Sequence, residues 1–195
     1  MIPPATPCTS TIPLDAFSYP VSWALPPLGW LKANMDAALS PSSCLASSGC
    51  VIRDCHGSWV LGWSTRFPGT CPFLCEVRAI RDGILRASVL GDNVLVASDC
   101  LDAVSAILRP IDPCGPFANI ILECRALLQD SPHLKLVFEK RTTNRVADAL
   151  AHYSVHDVSP AQGCFEWAFA PPFVVDLCTT DFVLACAPLS PDPPP

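Results

Sequence analysis

Four acidic residues in this chain of 195 stand where the polypeptide must change direction, the placement that lets carboxylates from distant segments meet. Asp36 closes the run Leu31-Lys-Ala-Asn-Met-Asp36, and Glu76 opens a helical pattern just after the Pro68-Gly69 break. Asp99 follows the apolar run 93–98, and Asp148 lies within Asn144-Arg-Val-Ala-Asp148-Ala-Leu-Ala151. Converging carboxylates bind hard divalent cations, and such cations activate water and stabilise a leaving oxygen. Each acid alone has a plainer reading. Glu76 and Asp99 sit near helix amino ends, where the dipole favours negative charge, and Asp148 is spaced to pair with Arg145 on a helix surface. Only the combination points to a metal centre.

The elements that must position these acids follow from periodicity. From Trp30, Leu31, Ala33 and Met35 alternate with Lys32, Asn34 and Asp36, the period of two of a strand. Residues 40–48 read as a loop. Segments 49–53 and 58–66 are rich in β-formers, and Asp54-Cys-His-Gly57 between them supplies a tight turn. Glu76, Ala79, Ile80, Gly83, Ile84 and Ala87 mark one face of a helix, with Glu76 in its first turn. A short strand at 93–98 ends at Asp99, and a helix from Leu101 stops at Pro110. A second amphipathic helix spans 117–128, a last strand 134–138, and a last helix 143–152. The order, three strands, helix, strand, two helices, strand, helix, implies right-handed crossovers and a five-stranded mixed α/β sheet with helices on both faces.

Composition bounds what this domain is. The length suits one domain with flanking tails, and 50% hydrophobic against 15% charged residues supports a buried core. The 22 prolines crowd the ends, dividing the chain into a Pro-rich leader (1–27), a domain (28–152) and a Pro-rich tail (153–195). A net charge of −6 argues against a nucleic-acid grip by bulk electrostatics, while leaving room for an acidic cluster that turns locally positive on binding cations. The 12 cysteines include no CxxC pair, so zinc is not expected. Neither a secretory signal nor a membrane-length apolar run occurs, which predicts a soluble intracellular protein, expected to be a monomer.

The segments Lys32-Ala-Asn-Met-Asp36-Ala-Ala, Gly49-Cys-Val-Ile-Arg53-Asp-Cys-His-Gly57, Cys75-Glu76-Val-Arg-Ala79, Ser98-Asp99-Cys100 and Asn144 to Ala151 resemble, in matching order, the plant branch of the ribonuclease H-like superfamily. That branch is often found in retroelement-derived proteins. The likeness extends to Trp167, Pro171-Pro172 and Asp181 in the tail. It implies hydrolysis of the RNA strand of an RNA-DNA hybrid with Mg²⁺, or alternatively Mn²⁺. Asp36 would bridge two ions, Glu76 and Asp99 hold one, and Asp148 hold the other. Asn144, Arg141 and Arg145 are the expected nucleic-acid contacts, within a basic group that includes Lys135 and Lys140.

Three positions depart from the family pattern. Ala37 follows the first Asp where many active members have Gly; Pro72 replaces the polar residue that reads the RNA 2′-hydroxyl; and Phe138 stands at the position of a mobile histidine, with His152 a candidate substitute that reads more simply as a solvent-facing residue at a helix end. These departures suggest a second possibility, a retroelement-derived domain that binds nucleic acid with little or no turnover.

Overall fold

A computed structural model describes residues 22–110, 113–156 and 163–187. Its elements are β1 (Trp30–Ser40), β2 (Leu45–Arg53), β3 (Trp59–Pro68), α1 (Pro72–Ser88), β4 (Asn93–Ser98), α2 (Leu101–Leu108), α3 (Ala118–Asp130), β5 (Leu134–Phe138), a 3₁₀ turn (Arg141–Thr143), α4 (Arg145–His156), β6 (Cys164–Trp167) and α5 (Pro172–Cys186). One mixed sheet runs in the order β5-β4-β1-β2-β3-β6. Strands β1, β4 and β5 are parallel, while β2, β3 and β6 each lie antiparallel to the strand before them in that order.

The alternation along β1 sorts its side chains between two faces. Ala33 and Met35 join Cys50, Ile52 and Trp63 in a core closed by α1, α2 and α3. The helix face predicted from Ala79, Ile80, Gly83, Ile84 and Ala87 is the buried one. Ile80 and Ile84 are fully buried there, each stabilising the fold by about 1.5–3 kcal/mol. On the other face Val51 packs with Val146 and Leu150 of α4 and Val174 of α5. Lys32, Asn34 and Asp36 share this second face, because each pairs with a β2 residue that points the same way: Arg53, Val51 and Gly49.

The hairpin between β2 and β3 forms as its turn residues require. Asp54 Oδ1 accepts the backbone N–H groups of His56 and Ser58 at 2.8 Å, and Gly57 takes φ +78°.

Several boundaries differ from the sequence expectation. The loop is only four residues, since β1 and β2 extend to Ser40 and Leu45 by pairing with each other. The sheet has six strands rather than five. Cys164–Trp167, within the segment read as a tail, pairs with Gly62–Thr65, and α5 follows with Val174 and Asp181 buried. A four-residue strand among prolines carries too short an alternation to stand out. Residues 22–27, read as part of the leader, are also packed down: Trp23 is only 1% exposed. The remainder of that leader and the closing prolines lie outside the described residues. Among the described residues, no helix is long and apolar enough to cross a membrane.

Candidate metal centre

Parallel pairing of β1 with β4 brings two of the four acids together. Met35 is in register with Ser98, so Asp36, within β1, comes beside Asp99, which follows the carboxyl end of β4, the usual edge for a site in such sheets. Glu76 arrives from α1, which starts at Pro72. Proline suits a first helical position, having no N–H to leave unsatisfied, and its entry places Glu76 in the second turn rather than the first.

Ligand oxygens of Asp36, Glu76 and Asp99 all lie within 4.8 Å of one another. Asp36 is 4% exposed, and its Oδ1 accepts the Ala37 N–H at 2.9 Å. Burial first, and then repulsion from Glu76, Asp99 and Asp148, pushes the Asp36 carboxyl up to about 9. Burial and the Asp99 charge push Glu76 up to about 8, and burial raises Asp99 as well. Oε2 of Glu76 is buried without a hydrogen-bond partner. An orphaned carboxylate oxygen and mutually repelling acids are what a divalent cation would satisfy, since it supplies charge and accepts oxygen ligands from several elements at once. The residues therefore fit a hard divalent ion.

Asp148 adjoins this trio rather than completing it. It reaches the other three through their electrostatics, while its own Oδ1 lies 3.2 Å from Arg141 and 3.6 Å from His152 Nδ1. Arg141 also feels Asp36 and Asp99, and these acids together raise its guanidinium above its ordinary value. It overhangs the acidic cluster with its side chain 79% exposed.

The other expected nucleic-acid contacts are placed differently. Asn144 is 1% exposed, and its amide donates to the Met35 carbonyl at 2.7 Å, so it braces β1 next to Asp36 instead of facing solvent. Arg145 donates to Asp181 of α5 at 3.2 Å. The asparagine of the Asn-x-x-Ala-Asp motif is thus a strut between the turn before α4 and the strand that carries Asp36.

One residue that positions the site carried only a weak signal in the sequence. Gly49 pairs with Asp36, and a Cβ there would fall inside the backbone of Ala147 and Ala151. The missing side chain lets α4 lie directly on the sheet, which sets Asp148 beside Asp36. A glycine within a β-forming run is the one hint of such a close approach.

Comparison with known proteins places the chain within a family. Residues 34–154 match the model of a family described as reverse transcriptase-like. A protein of Arabidopsis thaliana named as a ribonuclease H protein is 30% identical over 135 residues, 69% of this chain but 22% of that relative, so the chain spans under a quarter of its length. Similar solved structures include ribonuclease H1 of the archaeon Halobacterium salinarum, with TM-score 0.60 and 21% identity, covering 67% of this chain and 100% of that one. They also include the N-terminal ribonuclease H domain of a Mycobacterium tuberculosis protein, with TM-score 0.57 and 18% identity, covering 64% and 91%. A third is LC11-RNase H1 in complex with an RNA/DNA hybrid, with TM-score 0.54 and 20% identity, covering 64% and 94%. At these identities the structural likeness establishes the fold. With the family match spanning more than half of the chain, the acidic trio belongs to a domain of the reverse transcriptase-like family, within the ribonuclease H-like superfamily.

Proposed function

We propose that this domain is a divalent-metal-dependent endonuclease that cleaves the RNA strand of RNA-DNA hybrids, acting as a monomer. The observation that carries the reading is the convergence of Asp36, Glu76 and Asp99 within 4.8 Å, from a strand, a helix and a second strand end. Bound Mg²⁺ or Mn²⁺ would supply Lewis acidity to a water and to the leaving oxygen of a phosphodiester. Asp36, Glu76 and Asp99 would hold the ions, and Asp148, once released from Arg141, would add a fourth carboxylate. Arg141, the exposed cation over the cluster, would contact a backbone phosphate as it leaves Asp148. A hybrid is the substrate class on which the family resemblance and the complex of LC11-RNase H1 converge.

A second reading, hybrid binding with little turnover, draws on the Arg141–Asp148 pair, which must open before Asp148 can act, and on Pro72 at the mouth of α1. One experiment separates the two. Purified protein is incubated with a labelled RNA-DNA hybrid and Mg²⁺ or Mn²⁺, beside Asp36→Asn. Cleavage by wild type alone supports the nuclease; hybrid binding without cleavage by either supports the second reading; equal, metal-independent cleavage by both sinks the proposed site.

A further inference from the structure

We propose that Asp181, far along the chain in α5, is a positioning residue of the acidic centre; the inference rests on the metal-centre reading above. Asp181 is 1% exposed, and its two oxygens serve two different elements. Oδ2 accepts from Arg53 of β2 at 2.9 Å, and Oδ1 accepts from Arg145, the first residue of α4, at 3.2 Å. Arg145 is one helical turn from Asp148, so a tie at Arg145 holds the turn that carries the fourth acid.

The other side of the tie reaches β1. The Arg53 guanidinium stacks 3.6 Å from the centre of the Trp23 ring and touches Asn34 Oδ1 at 3.5 Å. That same oxygen accepts the Trp23 indole N–H at 2.9 Å. The Asn34 amide donates to Glu139 at 3.2 Å, and Glu139 is paired with the buried Lys32 at 2.6 Å and accepts from Thr143. Asn34 and Asp36 are alternate residues on one face of β1. A connected set of buried polar groups therefore runs from α5 through β2 to β1, and from α5 directly to the start of α4, meeting at the strand and the helix that carry Asp36 and Asp148.

Asp148 itself has few constraints. Its side-chain partners, Arg141 and His152, are exposed, so its place is set by its helix. Two side-chain contacts secure the start of that helix on the sheet face, Asn144 to the Met35 carbonyl and Arg145 to Asp181. Without Asp181, two guanidinium groups face each other with no anion between them. Arg145, whose side chain is 41% exposed, then turns to solvent, and the first turn of α4 keeps the Asn144 bond and the packing of Val146 and Ala147 but loses its polar tie to α5. Partners bonded directly to metal ligands typically alter metal affinity 10- to 100-fold when removed, and Asp181 acts one step further out, so the lower end of that range applies.

The test uses the full chain and Mn²⁺ as the probe, with binding followed by calorimetry and stability by thermal unfolding. Arg145→Met removes one arm of the tie without stranding a buried charge. Arg53→Met with Asp181→Leu replaces the buried pair by apolar groups, a change that usually preserves stability. Both variants are expected to unfold near the wild-type temperature yet bind Mn²⁺ about 10-fold more weakly. Mn²⁺ binding within twofold of wild type in both folded variants overturns the proposal and leaves Asp181 as an anchor for α5 alone. Wild type that binds no Mn²⁺ overturns the metal-centre reading, and this inference with it.

Discussion

Neutralising Asp36 should make the metal-free protein more stable, and increasingly so as the pH rises. The side chain is 4% exposed, and its carboxyl is raised from 3.8 to about 9 by burial and by the surrounding acids. A carboxyl whose folded value lies above its unfolded value stabilises most at acid pH, and that stability is lost as the pH climbs towards the folded value. Between pH 5 and pH 8 the unfolded chain has released this proton while the folded chain keeps it. At about 1.36 kcal/mol per pH unit, those three units cost wild type about 4 kcal/mol. Asp36→Asn removes that term and keeps an oxygen to accept the Ala37 N–H. In a chain of this length, about 4 kcal/mol corresponds to a shift in Tm on the order of 10 °C. Thermal unfolding in EDTA at the two pH values measures it, by circular dichroism on both proteins. Wild type should lose more Tm than Asp36→Asn on going from pH 5 to pH 8, and excess Mg²⁺ should restore wild type only. Equal pH dependence in the two proteins would refute the reasoning.

Other outcomes follow from the same geometry. At pH 7, Mn²⁺ binding must displace protons from Asp36 and Glu76, raised to about 9 and about 8, so the binding enthalpy should change with the ionisation enthalpy of the buffer; buffer-independent heats would show the acids already ionised. Gly49→Ala drives a methyl group into the α4 backbone and should destabilise by about 1–3 kcal/mol while weakening Mn²⁺ binding; an unchanged Tm would mean that α4 does not rest on Gly49. Asn144→Asp keeps the shape but loses the donor to the Met35 carbonyl, so the urea midpoint should fall by the equivalent of about 1–3 kcal/mol. Arg141→Ala should weaken hybrid binding and flatten its salt dependence with little change in Tm, because an exposed pair contributes little to stability.

Local pattern was enough to read most of the elements, and of the four acids singled out by motif the fold groups three, Asp36, Glu76 and Asp99. The alternation through Leu31, Ala33 and Met35, the helical spacing from Ala79 to Ala87 and the Asp54–Gly57 turn are short-range signals, and the folded chain uses each as its chemistry predicts. Sequence order and motif also put Asp36 at a strand end and Glu76 in a first helical turn, whereas β1 runs on to Ser40 and α1 starts early enough to put Glu76 in its second turn. How close the acids come was a tertiary matter. Strand register sets Asp36 beside Asp99, the start of α1 at Pro72 brings Glu76 to them, and contact between α4 and Gly49 leaves Asp148 adjoining the trio with Arg141 on it. Burial was decided at the same level. Trp23 and Asp181 belong to segments that composition describes as Pro-rich ends, yet both are 1% exposed, because Arg53 stacks on one and pairs with the other. Arg53 and Asp181 are 128 positions apart, and no local periodicity encodes a contact over that distance; it exists only once the sheet and its covering helices have formed.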